Sequence, residues 1–310
     1  MRITKAASDF KRPIGVTRRT FLSSAAALGG VMATRGFAAA RTSRPFFAAH
    51  GLPVGLQLYT LGDAPYKDLD GTLKAVADIG YRRVEAVGFM NRSASEFRAA
   101  LERAGLSCPS THVPLQPGET WGGPGVTLVG DIGKLAADIH TIGAKYVVVT
   151  PTTIPYSWRH AVRQLNEAGA AVKREGLKLA CHNYNIEFAK YGSKTGYELL
   201  LEHTDPDLVC FEMDVGWVAT AGVDPIPLLR AHRGRFRLMH VKDVKAGMVP
   251  NITALKTDPA DLGSGSLDWK AILPAGYDAG VRYYYVEQEP PFTEPRIKSA
   301  RTDYEYLARI

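Results

Sequence analysis

The chain has 310 residues, of which 45% are hydrophobic and 22% charged, and its formal net charge is +7. Spread evenly, that charge would point to nucleic acid or an anionic membrane. Instead, Arg2, Lys5, Lys11, Arg12, Arg18, Arg19 and Arg35 against the single Asp9 place +6 of it in the first 40 residues, and the remainder is near +1 with no basic cluster interleaved with aromatics, which excludes a nucleic-acid surface.

In chain order, the first feature is "TRRTFLSSAAALGGVMATRGFAAA", a twin arginine at Arg18 and Arg19 ahead of an Ala- and Gly-rich apolar stretch. A basic start, an apolar middle and small residues at a cleavage point make an export signal, and the arginine pair directs it to the Tat route. The apolar run from Phe21 to Ala33 is interrupted by Ser and Gly and falls short of the roughly 20 residues a membrane span needs. Residues 1–40 are therefore expected to be a Tat signal peptide cleaved after Ala40. The mature protein is expected in the periplasm or outside the cell, with the Tat translocase as a partner during export and no stable membrane insertion after cleavage. Tat cargo crosses folded, which suits a protein that takes up a metal beforehand. Cys108, Cys181 and Cys210 have neither zinc-knuckle nor disulfide spacing and read as buried single thiols.

From Arg41 to Ile310, short apolar runs recur at an even beat: "VGLQLYT" (54–60), "RRVEAVG" (82–88), "LSCPSTH" (106–112), "AKYVVVT" (144–150), "LKLACHN" (177–183), "LVCFEMD" (208–214), "FRLMHVK" (236–242) and "RYYYVEQ" (282–288). Between them lie segments of helical period, such as "LDGTLKAVADIG" and "SASEFRAALERAG", several ending in Gly as a helix C-cap does. Alternating strands and helices imply parallel strands joined by crossovers. Eight such units in about 270 residues close into a single (β/α)8 barrel. The competing doubly wound sheet is disfavoured because the first turn lacks a Gly-rich phosphate loop, and "VGFMNRS" is no dinucleotide fingerprint.

In such a barrel the chemistry sits at the C-terminal ends of the strands. Those ends deliver Gln57 and Tyr59, Glu85, His112, Thr150, His182 and Asn183, Asp214, His240 with Lys242, and Glu287. Burying so many carboxylates and imidazoles together is costly without a compensating cation. His182, Asp214, His240 and Glu287 offer two nitrogens and two carboxylates, a mixed set suited to one divalent ion such as Mn2+, Co2+, Fe2+, Ni2+ or Zn2+ rather than Ca2+.

"FEMDVGW", "AGVDPIPLLRAHRGRFRLMHVKD", "LGSGSLDW" and "YYYVEQE" resemble the sugar phosphate isomerase/epimerase group of xylose isomerase-like TIM barrels, from about Val54 to the C-terminus. The resemblance implies one divalent metal held by Glu, Asp, His and Glu from the last four strands, and action on sugars or keto-sugars. Asp214, His240 and Glu287 match the second, third and fourth ligands, whereas "LACHNYNIEF" puts His182 where many epimerases have Glu. Since the family's ketose epimerases use both metal-bound glutamates as the acid/base pair, Glu287 retains a proton-transfer role here and its partner is open. Glu85 and His112 are the candidates for that partner, while Glu187 reads as a loop acid. Tyr59, Asn183, Trp217 and Lys242 are candidate substrate-binding residues, and Lys242 and Asp243 either meet substrate oxygens or pair with each other.

The expected activity is metal-dependent isomerisation or epimerisation of a keto-sugar or keto-glycoside, by proton abstraction beside a metal-polarised carbonyl through an enediolate. A lyase or hydratase that cleaves a 3-keto-glycoside by β-elimination shares that intermediate. Export favours an unphosphorylated sugar. A non-catalytic exported sugar-binding barrel is the alternative from another class, and an endonuclease IV-type enzyme is disfavoured by the low charge of the mature chain. The stretch from Val244 to Ser266 reads as a long loop that could form a lid, and a homo-oligomer is left open.

Overall fold

The computed structural model describes residues 44–115, 123, 126–128, 130–151, 157–291 and 295–310. The expected signal segment lies outside the described residues, and among the described helices none is long and apolar enough to cross a membrane.

Eight parallel strands close into a barrel: β1 (Gly55–Gln57), β2 (Arg83–Val87), β3 (Ser107–His112), β4 (Tyr146–Val149), β5 (Lys178–His182), β6 (Val209–Asp214), β7 (Phe236–Val241) and β8 (Tyr283–Val286). Each lies within its expected run. The first is shorter than expected, because Leu58–Leu61 turns into a 3-10 helix capped by the Gln57 side chain, which accepts from Tyr59 N.

The helices between strands begin where the sequence supplies caps. Ser93 and Glu96 form a reciprocal capping box on Ala94–Ala104, as Thr195 and Glu198 do on Gly196–His203. Asp131 and Ser157 cap Ile132–Thr141 and Trp158–Arg174.

Alternation along the strands divides two apolar layers. Outward residues such as Phe211, Met213 and Met239 join the large core beneath the helices. Inward residues form a small cluster of Tyr146, Val148, Ala180, Leu238 and Tyr285 that plugs the barrel. Above the plug, β6 and β7 pair with Asp214 beside His240 and Glu212 beside Leu238, and β5 sets His182 beside Glu212. The polar end of the barrel is therefore stacked directly on its plug. All three cysteines are free thiols, Cys108 and Cys181 buried and Cys210 half-buried.

The stretch after β7 is an ordered flap. Asp243–Val244 pairs antiparallel with Pro259–Ala260. Asp243 Oδ1 accepts from the amides of Val244, Ser266 and Leu267 at 2.8, 3.0 and 3.1 Å, and Oδ2 accepts from Trp269 Nε1 at 3.0 Å. Asp243 is thus the anchor of this flap, and it contacts neither substrate space nor Lys242. Gly265 is required at the return, since a Cβ there would lie 2.1 Å from Asp243 Oδ1. At its far side the flap is held by Asn185, whose Nδ2 donates to the carbonyls of Asn251 (2.7 Å) and Ala254 (2.8 Å).

Candidate active site

A cavity of about 520 Å3 opens at the C-terminal mouth of the barrel, lined by polar Gln57, His112, His182, Glu287 and Glu289 among others and by aromatic Tyr59, Tyr66, Tyr184 and Trp217. At its floor, four ligand atoms converge from β5, β6, β7 and the end of β8. His182 Nε2 lies 3.2 Å from His240 Nδ1 and 3.5 Å from Asp214 Oδ2. His240 Nδ1 lies 3.3 Å from Asp214 Oδ2 and 3.2 Å from Glu287 Oε2, and all four atoms fall within 4.8 Å of one another. Ligand atoms about 2.0–2.1 Å from a tetrahedral ion are separated by about 3.3 Å, so the spacing fits a single divalent cation with nitrogen and oxygen ligands.

Two features fix this geometry. Asp214 caps the short helix Val215–Thr220 by accepting from Trp217 N through Oδ1 (2.8 Å), which turns Oδ2 toward the two imidazoles. His240 Nε2 donates to Glu85 Oε2 at 2.7 Å, which turns Nδ1 toward His182, Asp214 and Glu287. His182 has no such support, for its buried Nδ1 lacks a hydrogen-bond partner. Burial draws His182 down to about 4, against the pull of Asp214, so the ring stays neutral with a lone pair to offer. For Glu287, burial opposes the charge but Lys242 and His240 outweigh it and hold the carboxyl at about 2.

The remaining candidates divide. His112 lines the cavity, and its Nε2 sits between Glu85 Oε2 (3.1 Å) and Glu212 Oε2 (3.0 Å). Burial disfavours a charge on this ring, yet Glu85 and Glu212 override it and raise the imidazole to about 9. Glu85 itself is fully buried below the cavity, where it also accepts from Gln57 Nε2 at 2.9 Å. It is placed to orient His240 and His112, and it does not face substrate as an acid or base would. Asn183 is likewise occupied: its side chain donates to the carbonyls of Tyr184 and Asp214 and accepts from Asp214 N, tying β5 to the end of β6.

Lys242 is also fully buried, its ammonium 2.8 Å from Asp214 Oδ2, 2.6 Å from Glu287 Oε2 and 3.3 Å from Glu289 Oε1. It serves as a counter-charge behind the ligands and is not a rim residue awaiting substrate. Gly216 makes room for its stem, since a Cβ there would come within 2.7 Å of Lys242 Cγ and Cδ. Tyr59 and Trp217 do line the cavity. The Tyr59 phenol is pushed up to about 12 by burial and by the charges of Glu289 and Glu287, so it remains a neutral donor. Glu187 is buried beneath the loop after β5, accepting from Tyr184 N at 3.0 Å.

Sequence reasoning overlooked Glu212, Glu289, Tyr66 and Tyr184. The acids had a signal: Glu-x-Asp at 212 and 214 and Glu-x-Glu at 287 and 289 put each pair on one face of an extended chain. Glu212 was hidden because it stands before the strand end, between apolar Phe211 and Met213.

The family model described as xylose isomerase-like TIM barrel matches residues 73–310. Among curated relatives, an inosose dehydratase of Clostridium tetani is 28% identical over 152 residues, which cover 44% of this chain and only 50% of that protein. An inosose dehydratase of Geobacillus kaustophilus is 26% identical over 282 residues, covering 78% of this chain and 87% of that one. Among solved structures, a sugar phosphate isomerase/epimerase from Parabacteroides distasonis superposes with a TM-score of 0.66 at 23% identity, covering 83% of this chain and 94% of that one. The IOLI protein, solved with a zinc atom, gives 0.61 at 16% identity over 82% of this chain and 96% of that one. A Mycobacterium smegmatis barrel in complex with magnesium gives 0.59 at 16% identity over 84% and 96%. At such identities these structures establish the shared fold.

Proposed function

The chain belongs to the xylose isomerase-like TIM barrel family, and from that premise we propose that it is a divalent-metal-dependent lyase acting on a keto-sugar or related keto-cyclitol. The observation that carries this reading is the convergence of His182, Asp214, His240 and Glu287 at the floor of an aromatic-walled cavity. An ion held by these four would polarise a substrate carbonyl and make the neighbouring C–H acidic. The zinc and magnesium named for two structural neighbours support a metal of this kind.

The chain's own residues then divide the proton traffic. Glu287 lines the cavity and is the carboxylate ligand that can reach the acidified C–H. A carboxylate held at about 2 is a weak base, adequate only because the carbon acid is activated. His112 faces the same cavity, and its Nε2 is engaged by two buried carboxylates, so Nδ1 is the nitrogen left to deliver a proton. As Glu287 takes the proton, the C–H electron pair forms the new C=C bond. The C–O bond at the next carbon breaks, and the departing oxygen takes a proton from His112.

An unlike pair, one carboxylate and one imidazole, suits removal at one atom and delivery at another. Epimerisation as the family performs it uses two metal-bound glutamates, and here His182 replaces one of them. The relatives named inosose dehydratase support elimination as well. Return of the proton to carbon would make the same site an isomerase or epimerase, the activity named for the Parabacteroides distasonis neighbour.

The deciding experiment is incubation of metal-loaded protein with keto-cyclitols and keto-sugars in D2O, followed by NMR. Elimination is expected as loss of the proton beside the carbonyl together with growth of a vinylic signal. Deuterium entering without elimination would support the isomerase, and no exchange with any compound would overturn both readings.

A further inference from the structure

We propose that the cavity selects an uncharged polyhydroxylated ring and rejects phosphorylated ones, with Glu289 as the residue that sets this preference. The proposal rests on the keto-sugar reading above and names the charge class of its substrate.

The charge lining the cavity is of one sign. Asp63, Glu287 and Glu289 face it, and no lysine or arginine is among its described lining residues. The stretches 116–122, 124–125, 129, 152–156 and 292–294 contain no lysine, arginine or histidine by sequence, and their acids are Glu119 and Glu294. The nearby ammonium of Lys242 is fully buried and its charge is already countered by three carboxylates, those of Asp214, Glu287 and Glu289. Arg296 directs its guanidinium to the carbonyls of Tyr59 (3.2 Å) and Thr60 (3.3 Å).

A divalent ion does not change the balance in favour of an anion. Asp214, Glu287 and Glu289 supply three negative charges, and Lys242 with the ion would supply three positive ones. The pair Glu85 and Glu212 beneath adds two more carboxylates against the His112 ring. With Arg296 and Asp63 adding one charge of each sign at the wall, a phosphate dianion would enter a space with no surplus positive charge, next to a carboxylate.

The polar groups that do face the cavity suit hydroxyls. Glu289 holds Lys242 through Oε1, which leaves its other oxygen to accept from a substrate O–H. Trp217 is buried with its ring in the cavity wall. Its ring meets Tyr184 edge-on at 5.3 Å, and Tyr59 and Tyr66 complete apolar walls for the C–H faces of a ring.

The test uses the metal-loaded protein and two matched probes, fructose and fructose 6-phosphate, with affinities measured by saturation-transfer NMR and calorimetry. The neutral sugar is expected to bind about tenfold tighter or more. In Glu289→Gln the preference should shrink at least about threefold, and in Glu289→Lys it should reverse, with metal content unchanged. Equal or tighter binding of fructose 6-phosphate by the unsubstituted protein would overturn the proposal while leaving the keto-sugar reading intact. A neutral preference untouched in both variants would remove Glu289 from it. Failure of both sugars to bind the loaded protein would sink the keto-sugar reading and this proposal with it.

Discussion

Asp214 stands where a strand becomes a helix, and each of its oxygens is committed to a different partner. Oδ1 serves the helix and Oδ2 serves the imidazoles, so backbone geometry aims the ligand. Glu85 does for His240 what the helix does for Asp214. Replacement of Glu85 by Gln would keep one oxygen for the donors from Gln57, His112 and His240, which all meet Oε2, but would remove the charge that holds them. Metal affinity is expected to fall roughly ten- to hundredfold in that variant, measured by competition with a chelator. Unchanged affinity would refute the orienting role. At this scale the sequence was informative about which side chains converge at the mouth and less so about what each is paired with. His182, Asp214, His240 and Glu287 could be picked out because strand ends converge in a barrel. Glu85, Asn183 and Lys242 were recognised as polar strand-end residues, but the sequence does not show that each is consumed by another side chain or by the main chain before substrate can reach it.

At the scale of elements, the strands were legible because each is a short apolar run between a capped helix and a turn. The flap was not, since its order comes from long-range contacts: Asp243 gathering amides 23 and 24 residues away, and Asn185 reaching carbonyls 66 and 69 residues away. Neither leaves a periodic trace. Leu255, on this flap, lines the cavity and is half exposed. Asn185→Ala removes two hydrogen bonds from a buried side chain and leaves the Asn251 carbonyl to find water, while Ala254 O keeps the Asn251 side chain and the Lys256 amide, at a cost of about 1–3 kcal/mol localised in the flap. The expected outcome is faster amide exchange and proteolysis across residues 245–258, with KM raised more than kcat is lowered. A flap as protected as before would show that Asn185 does not hold it.

For the molecule as a whole, two buried acids away from the cavity floor contribute to the dependence of stability on pH. Glu187 and Asp303 are both raised to about 7, mainly by burial. A carboxyl whose folded value is raised contributes stability that is complete below its unfolded value, near 4, and is lost as pH climbs through 7. Each group costs up to about 1.4 kcal/mol per pH unit across that window. Glu187→Gln keeps an oxygen for Tyr184 N and removes the charge, so the variant should gain on the unsubstituted protein at pH 8 and not at pH 4, in denaturant melts at the two values. Equal differences at both would exclude Glu187 as the source. Residues 1–40 are proposed to be a Tat signal on the strength of Arg18 and Arg19. Replacing both arginines by lysine is expected to retain the protein inside the cell, as read by fractionation, and undiminished export would refute the proposal.

Lys242 has a consequence for the order in which the molecule is assembled. Its ammonium touches the same oxygens of Asp214 and Glu287 that face the imidazoles. Mutual repulsion between those carboxylates is therefore already relieved by a charge that the polypeptide carries itself. A barrel with a resident cation of this kind can close around an empty floor and accept its ion afterwards. For the proposed metal-dependent enzyme, loading would thus be uncoupled from folding, and whichever compartment supplied the ion after the chain had closed would decide which metal it held.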